Sequence, residues 1–239
     1  MKTRQTILCG LLAVALALAF IACGDSAIPD PGDGGDDSGT DPGTGPGTGD
    51  GDGTGTGTGG GDDGRTYSRG DIGPGGGKIF WVSEGGFTVY MVNPEQNYTA
   101  HYLEAAPADM PAKLKWASPG YLSTRIPEVK TTLGNAEDFG YGRWNTAYIL
   151  ATDADAPAAK ACSEYNGGGK NDWFLPSARE LYYIRIFEDD VDNFDTLKTG
   201  GYWSSTQGMN TQAWAVNNVG GMSYYNKNNE YAVRAVRAF

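Results

Sequence analysis

Apolar residues divide the chain into three stretches of different character. An apolar run occupies residues 7–21, whereas residues 24–64 contain almost no apolar side chain. From residue 67 onwards, short apolar segments alternate with turns rich in glycine and asparagine, a pattern typical of a folded domain. We therefore expect one globular domain at residues 67–239, which is long enough to bury a self-sufficient core.

Alternating apolar and polar residues predict several strands in this domain. Residues 79–82 and 88–92, on either side of two glycines, are expected to form a β-hairpin. Residues 202–205 and 212–216 should form two more strands. Residues 231–239 predict a last strand with two distinct faces, because its side chains alternate over nine positions.

Helical spacing occurs in two stretches. The first covers residues 145–165, where Pro157 is expected to split the helix or begin its second half, since proline fits a first helical turn. In the second, Ser177 and Glu180 have the spacing of a capping box. Its core-facing side chains are expected to be Leu181, Ile184 and Phe187. The predicted class is α+β, with two main helices on a small, irregular antiparallel sheet.

The apolar run at the start has the layout of a secretory signal peptide, which we assign to residues 1–22. It follows two basic residues and, at about 15 residues, is too short to span a bilayer comfortably. Residues 20–23, Phe-Ile-Ala-Cys, resemble a bacterial lipobox, so Cys23 is predicted to be lipidated; the alternative is ordinary secretion. We expect a lipid anchor in the bacterial cell envelope, on its outer surface. With Cys9 removed and Cys162 left alone, no intrachain disulfide is expected.

Residues 23–66 are predicted to form a disordered tether. Residues 24–64 contain 10 Asp and 17 Gly, and they cannot bury enough apolar surface to offset the entropy of ordering. The net charge of −11 belongs mostly to this stretch. The remaining domain is close to neutral, which argues against nucleic acid as a partner. We expect a monomer without a cofactor.

Five ordered motifs resemble a known family. They lie at residues 70–80, 102–107, 171–177, 202–205 and 233–239, and include Gly-Pro-Gly-Gly-Gly, Asp-Trp-Phe-Leu-Pro-Ser and a closing Val-Arg-Ala-Phe. The domain resembles the bacterial C-type-lectin-fold domains of the formylglycine-generating-enzyme-like variety. It is most similar to those in the variable lipoproteins of diversity-generating retroelements. This resemblance implies a C-type-lectin-like fold that displays a ligand-binding face on a rigid scaffold.

In that family, a reverse transcriptase rewrites adenine-containing codons near the C-terminus, often those of asparagine. Residues 207–230 have a fitting composition, and tyrosine, serine and asparagine also suit recognition by rigid contact area and adaptable hydrogen bonds. Tyr224 and Tyr225 are expected to be the main contacts to a macromolecular ligand, a protein or a glycan. The full set of candidate residues is Met209, Asn210, Thr211, Gln212, Asn217, Asn218, Ser223, Tyr224, Tyr225, Asn226, Asn228 and Asn229. The alternative is a polar loop in a protein that is not diversified.

Other motifs favour structural roles. In Gly75-Gly76-Gly77-Lys78, the next residue is Ile79, where a phosphate-binding loop needs Ser or Thr. The adhesion-type tripeptide Arg69-Gly70-Asp71 lies inside the first family motif. Asp172 supplies a possible calcium ligand, but the triplets of calcium-dependent sugar-binding lectins are absent from the sequence.

Catalytic residues are equally scarce. His101 is the single histidine, which leaves no evident base for a serine or cysteine nucleophile. Formylglycine-generating enzymes use two cysteines, whereas this domain has Cys162, expected to be buried on a helix. We therefore expect a binding protein, not an enzyme, and no metal site. A structural envelope lipoprotein and a calcium-independent glycan-binding module are the remaining hypotheses.

Replacing Cys23 with serine tests the predicted anchor. The serine variant lacks the thiol that would carry the lipid, so it should be left unprocessed or released, and it should incorporate no labelled palmitate. Equal partitioning and equal labelling of variant and wild type would contradict lipidation at Cys23.

Overall fold

The described part of the chain contains two small antiparallel sheets and three α-helices. The computed structural model describes residues 63–129, 139–191, 194 and 199–239. The predicted signal peptide, Cys23 and most of the predicted tether lie outside these residues. Within them, no helix has the length and apolar character needed to cross a membrane.

The order of elements along the chain confirms the α+β class. There are two sheets instead of the single predicted one, and the first of the two predicted helices is divided into two, as expected at Pro157. The first sheet has the strand order β1-β2-β6 and the second β3-β4-β5. The elements are β1 (Lys78–Val89), β2 (Tyr98–Ala105), α1 (Gly142–Thr152), α2 (Pro157–Ser163), α3 (Ala178–Ile186), β3 (Gly201–Met209), β4 (Gln212–Asn217), β5 (Met222–Asn226) and β6 (Val236–Ala238).

The predicted first hairpin is wrong, because its two segments form one long strand. Both halves of β1 pair with β2, with Val82 opposite Tyr102 and Phe87 opposite Ala100. Between these pairs β1 advances by five residues and β2 by two, which makes a bulge. Gly86 lies in this bulge with φ 73°, and a side chain there would collide with β2. The glycines therefore allow a close approach of two strands instead of a chain reversal.

The helix starts at Pro157 and after Ser177 agree with the sequence, whereas α1 begins at Gly142, three residues before its predicted start. Pro157 begins α2, and a short turn separates α2 from α1. Ser177 caps α3: its hydroxyl accepts a hydrogen bond from the N–H of Glu180 at 3.3 Å, and the Glu180 carboxylate accepts one from the N–H of Ser177 at 2.8 Å. Phe187, which was predicted to face the core, lies just after the last turn of α3 and is only half-buried. The two other predicted core positions of this helix are buried, Leu181 and Ile184.

The predicted last strand is regular only in β6. The side chains from residue 232 to residue 238 are all buried, so both faces of this segment are covered. Ala232 pairs with Tyr202 of the second sheet, whereas Val236 pairs with Phe174 and with β2 of the first. This segment runs between the two sheets and is covered on both sides for that reason.

Buried charges hold the C-terminal segment in place. Arg237, only 2 % exposed, donates to Asp172 at 2.9 and 3.0 Å and to Glu104 at 3.3 Å. The Glu104 carboxylate also accepts hydrogen bonds from the N–H groups of Gly75 at 3.0 Å and Gly77 at 2.7 Å. Burial raises the pKa of Glu104, and these donors oppose that effect. The glycine-rich motif and Asp172 therefore have structural roles.

Replacing Trp203 with alanine tests the core of the second sheet. Trp203 is fully buried, and its indole N–H donates to the carbonyl of Leu114 at 2.9 Å. Its loss should lower the free energy of unfolding by roughly 3–5 kcal/mol, measured by denaturant titration. Trp214, partly exposed on the same sheet, is the matched control, and its alanine variant should lose less than half as much. Equal losses would show that the two indoles are equally buried in solution.

Candidate ligand-binding face

All candidate ligand-binding residues lie on the second sheet or in the turns at its ends. Seven of the twelve side chains are exposed: Met209, Asn210, Thr211, Asn218, Tyr224, Asn226 and Asn228. The other five are half-buried: Gln212, Asn217, Ser223, Tyr225 and Asn229.

Strand pairing separates the candidates into two groups. Gln212 lies opposite Asn226, so the β3–β4 turn and the residues after β5 are neighbours. Asn217 and Asn218 lie at the other end of β4, about 17 Å away at roughly 3.4 Å per residue. The structure therefore does not bring these two asparagines together with the rest.

The two predicted contact tyrosines lie on opposite faces of the sheet. Tyr224 is 40 % exposed and pairs with Trp214, the two rings meeting edge-on with centroids 5.2 Å apart. Tyr225 pairs with buried Ala213 and packs against Tyr231, with centroids 5.4 Å apart. Successive side chains of a strand point to opposite faces. A ligand that covers Tyr224 thus lies across the sheet from the ring of Tyr225.

Asn217 fixes the turn between β4 and β5. Its side-chain oxygen accepts hydrogen bonds from the N–H groups of Val219 at 3.0 Å and Gly221 at 2.8 Å. Asparagine is favoured in turns because its side chain bonds to the backbone in this way. Asn217 consequently has a structural role that its composition-based selection did not reveal.

Trp214 is half-buried beside Tyr224 on the same side of the sheet, although the composition of the segment did not select it. Its indole nitrogen is buried and has no hydrogen-bond partner among the described residues. The period-two pattern of β4 was the available signal, because it places Trp214 on the face opposite the buried Ala213 and Ala215. We use the name display face for Met209, Asn210, Thr211, Trp214, Tyr224, Asn226 and Asn228.

Lys227 is a buried anchor inside the candidate segment. Its ammonium group donates to the carbonyl of Thr124 at 2.7 Å and to the side-chain oxygen of Gln207 at 3.0 Å. The same group lies 4.5 Å from the ring centroid of Trp116. The backbone N–H of Trp116 donates to the carbonyl of Lys227 at 3.0 Å. Lys227 therefore connects β3, the loop before residue 126 and the chain after β5. A lysine in a run of polar residues carries no sequence signal of burial.

Neither a metal centre nor a reactive thiol is apparent in the described part of the chain. These residues include no group of three or more His, Cys, Asp or Glu side chains that could hold a metal ion. Cys162 is fully buried, and burial raises the pKa of its thiol, which keeps it protonated. Arg69 of the adhesion-type tripeptide is paired with Asp190 at 2.6 Å.

A cavity of about 680 Å³ lies next to the first sheet, away from the candidate residues. Its lining includes Tyr67, Trp81 and Tyr102, together with Arg69 and His101. The Nδ1 of His101 is 2.9 Å from the carbonyl of Ser83.

Comparison with known proteins gives one family match. The model of the Lcl C-terminal domain family matches residues 107–237, which include every candidate ligand-binding residue. Among solved structures, a fimbrial protein from Bacteroides ovatus ATCC 8483 is similar, with 18 % sequence identity and a TM-score of 0.43. That match covers 68 % of this chain and 44 % of the fimbrial protein, less than half of its length. No curated protein matches the chain.

Stability should depend on the charge of Lys227. Burial lowers the pKa of Lys227 to about 8, and the Asp153 carboxylate opposes this shift. Because an unfolded lysine titrates near 10.4, the folded protein loses this proton first, and its stability should rise between about pH 8 and pH 10. We expect a gain of about 2 kcal/mol between pH 7 and pH 9.5, measured by urea unfolding.

The variant Lys227→Met is the control for this pH dependence. It keeps the length of the side chain and removes the titrating group, so it should lack the gain while retaining the effects of all other groups. Parallel pH profiles for the wild type and the methionine variant would contradict the assignment to Lys227.

Proposed function

Because the chain belongs to the Lcl C-terminal domain family, we propose that it is a surface-associated bacterial binding protein that holds a macromolecular ligand on the display face. The observation that carries this function is a cluster of exposed polar and aromatic side chains on a sheet whose other face is built into the core. Their exposure leaves them available for a partner.

The composition of the display face suits recognition. Residues 207–226 contain no charged side chain, so a partner can cover them without desolvating an ion. The Trp214 and Tyr224 rings offer rigid apolar area beside asparagine amides that both donate and accept hydrogen bonds. Aromatic residues of this kind dominate the binding energy of many interfaces.

The rest of the chain has a role in this function as an anchor and a spacer. Cys23 carries the lipid, and residues 23–66 hold the monomeric domain of residues 67–239 away from the membrane. A Gly-rich coil of about 40 residues has a root-mean-square span of about 35 Å, and its like charges extend it further. The domain thereby reaches partners outside the envelope, and neither a cofactor nor catalysis is required.

We further propose that the display face is diversified by a retroelement on a C-type-lectin-like scaffold. The exposed positions are rich in asparagine, and they lie in the same sheet region as the buried side chains of Trp203 and Lys227. The genomic test is direct. A neighbouring reverse-transcriptase gene and a near-copy of the segment that encodes residues 202–239, differing at adenines, are expected, and the absence of both would refute diversification.

A calcium-independent glycan-binding module is the second candidate. The observation in its favour is the partly exposed ring pair of Trp214 and Tyr224, since aromatic faces stack on sugars. A glycan array probed with the full chain distinguishes this function from protein binding. A structural envelope protein would bind neither glycans on the array nor a protein ligand.

Exchanging exposed residues tests the display face. Replacing Met209, Asn210, Thr211, Tyr224, Asn226 and Asn228 together with other polar or aromatic residues should change stability by no more than about 0.5 kcal/mol per site. The same variant should lose or change the peptides that the wild type selects from a displayed random-peptide library, because its contact surface is new.

The matched control exchanges Glu84, Glu95 and Gln96, which are exposed on or beside the first sheet. It should select the same peptides as the wild type. An unfolded six-fold variant would show that the exposed residues are structural. A folded six-fold variant with unchanged selection would place the binding site elsewhere.

A further inference from the structure

The register of β4 and β5 reveals which backbone groups of β5 are paired. The N–H of Lys227 donates to the carbonyl of Thr211 at 2.9 Å, just beyond one end of the ladder. The N–H of Asn217 donates to the carbonyl of Gly221 at 2.8 Å, just beyond the other end. Both bonds join odd-numbered residues and keep the register of the ladder, which has no bulge.

Hydrogen-bonded and non-hydrogen-bonded pairs alternate in an antiparallel ladder. Ser223 and Tyr225 therefore direct their N–H and carbonyl groups towards β4. The backbone groups of Met222, Tyr224 and Asn226 point the other way, to the outer side of the sheet. The Asn226 carbonyl accepts a bond from the N–H of Asn229 at 2.8 Å. The outward N–H and carbonyl groups of Met222 and Tyr224 have no hydrogen-bond partner in the part of the chain that the structure describes.

Two other outer strands, β3 and β6, are covered by neighbouring chain segments. On the outer side of β3, the N–H of Trp203 donates to Ala232 at 3.0 Å and that of Ser205 donates to Pro176 at 2.7 Å. The outer side of β6 is bridged by Phe174. In contrast, no residue of β5 is buried, and the described segments place no strand on its outer side.

The sequence of β5 also lacks the features that protect edge strands. Proteins commonly block such edges with lysine, proline, an inward charge or a bulge. β5 reads Met-Ser-Tyr-Tyr-Asn and pairs with β4 without a register shift. An unprotected edge next to the exposed ring of Tyr224 is a template for an added strand.

We propose, on the basis of the binding function proposed above, that an extended segment of a protein partner adds to β5 as a fourth strand. Its backbone bonds to the outward N–H and carbonyl groups of Met222 and Tyr224, as in strand addition to other sheet edges. Alternate side chains of this segment lie against the display face. They are uncharged, because residues 207–226 offer no ion to pair with a buried charge.

Strand addition separates affinity from specificity. The backbone groups at position 224 are the same for every side chain except proline, so the edge is retained when display residues are exchanged. The exposed side chains then decide which uncharged segment fits. One scaffold can thereby accept different partners through one set of main-chain bonds.

Amide exchange of the full chain, followed residue by residue in detergent solution, tests the edge itself. The amides of Met222 and Tyr224 should exchange rapidly, whereas those of Ser223 and Tyr225 should be protected by β4. Protection of Tyr224 in the free protein would overturn the proposal, because it would mean that the edge is already covered. Protection that grows with protein concentration would also overturn it and assign the edge to a second copy.

Peptides selected by the wild type from the displayed random-peptide library test the added strand. A synthetic selected peptide should protect the Tyr224 amide, and N-methylation along that peptide should weaken binding at every second residue. Tyr224→Pro should bind the peptide about tenfold more weakly than Tyr224→Ala, since both lack the ring but only proline lacks the outward N–H. Proline is tolerated there because this N–H is not in the ladder.

Three results would overturn strand addition. They are equal affinities of the proline and alanine variants, N-methyl effects without a period of two, and a library that yields no binding peptide. If selection still changes with the six-fold exchange while the proline and alanine variants bind equally, the display face is right and the strand is wrong. Binding on a glycan array alone would likewise retain the face and exclude the strand.

Discussion

The burial of two arginines in the C-terminal segment is the constraint on which the rest of the structure depends. Arg234 donates to the Asp109 carboxylate at 2.7 Å and to the carbonyl of Ala106 at 2.9 Å, and Arg237 is paired with Glu104 and Asp172. Buried ions are costly unless all their hydrogen-bonding groups are satisfied. The two arginines therefore hold the C-terminal segment in one position between the two sheets. That position determines where the second sheet, which carries the display face, is located.

Within the second sheet, the residues that stabilise the fold are different from those that are exposed to solvent. The side chains of Trp203 and Lys227 donate hydrogen bonds to backbone carbonyl groups in the loop of residues 114–124. Tyr225 packs against the core. The neighbouring side chains of Tyr224, Asn226 and Asn228 are exposed. Because buried and exposed residues alternate along the chain, the surface can change while its supports stay in place. Rigid support also lowers the entropy that a ligand must otherwise offset on binding.

The sequence predicted those parts of the fold that local chemistry decides. The capping box at Ser177 and the helix start at Pro157 follow from hydrogen bonding and ring geometry within one turn. The bulge at Gly86 was missed because a glycine pair permits either a reversal or a close approach, and only the partner strand decides between them. The buried Lys227 was missed for a similar reason, since its partners Thr124 and Gln207 are far away in sequence.

The same limit applies to the candidate face. Composition selected the right segment for an exposed surface at Tyr224 and Asn226, but it cannot distinguish the two faces of a strand or the two ends of a sheet. Tyr225 and Asn217 have the residue types of a recognition surface, yet one packs against Tyr231 and the other closes a turn. Tyrosine and asparagine are versatile because they serve both purposes. In such a segment, the strand register carries the information that composition lacks, since it assigns every side chain to a face and every backbone group to an edge.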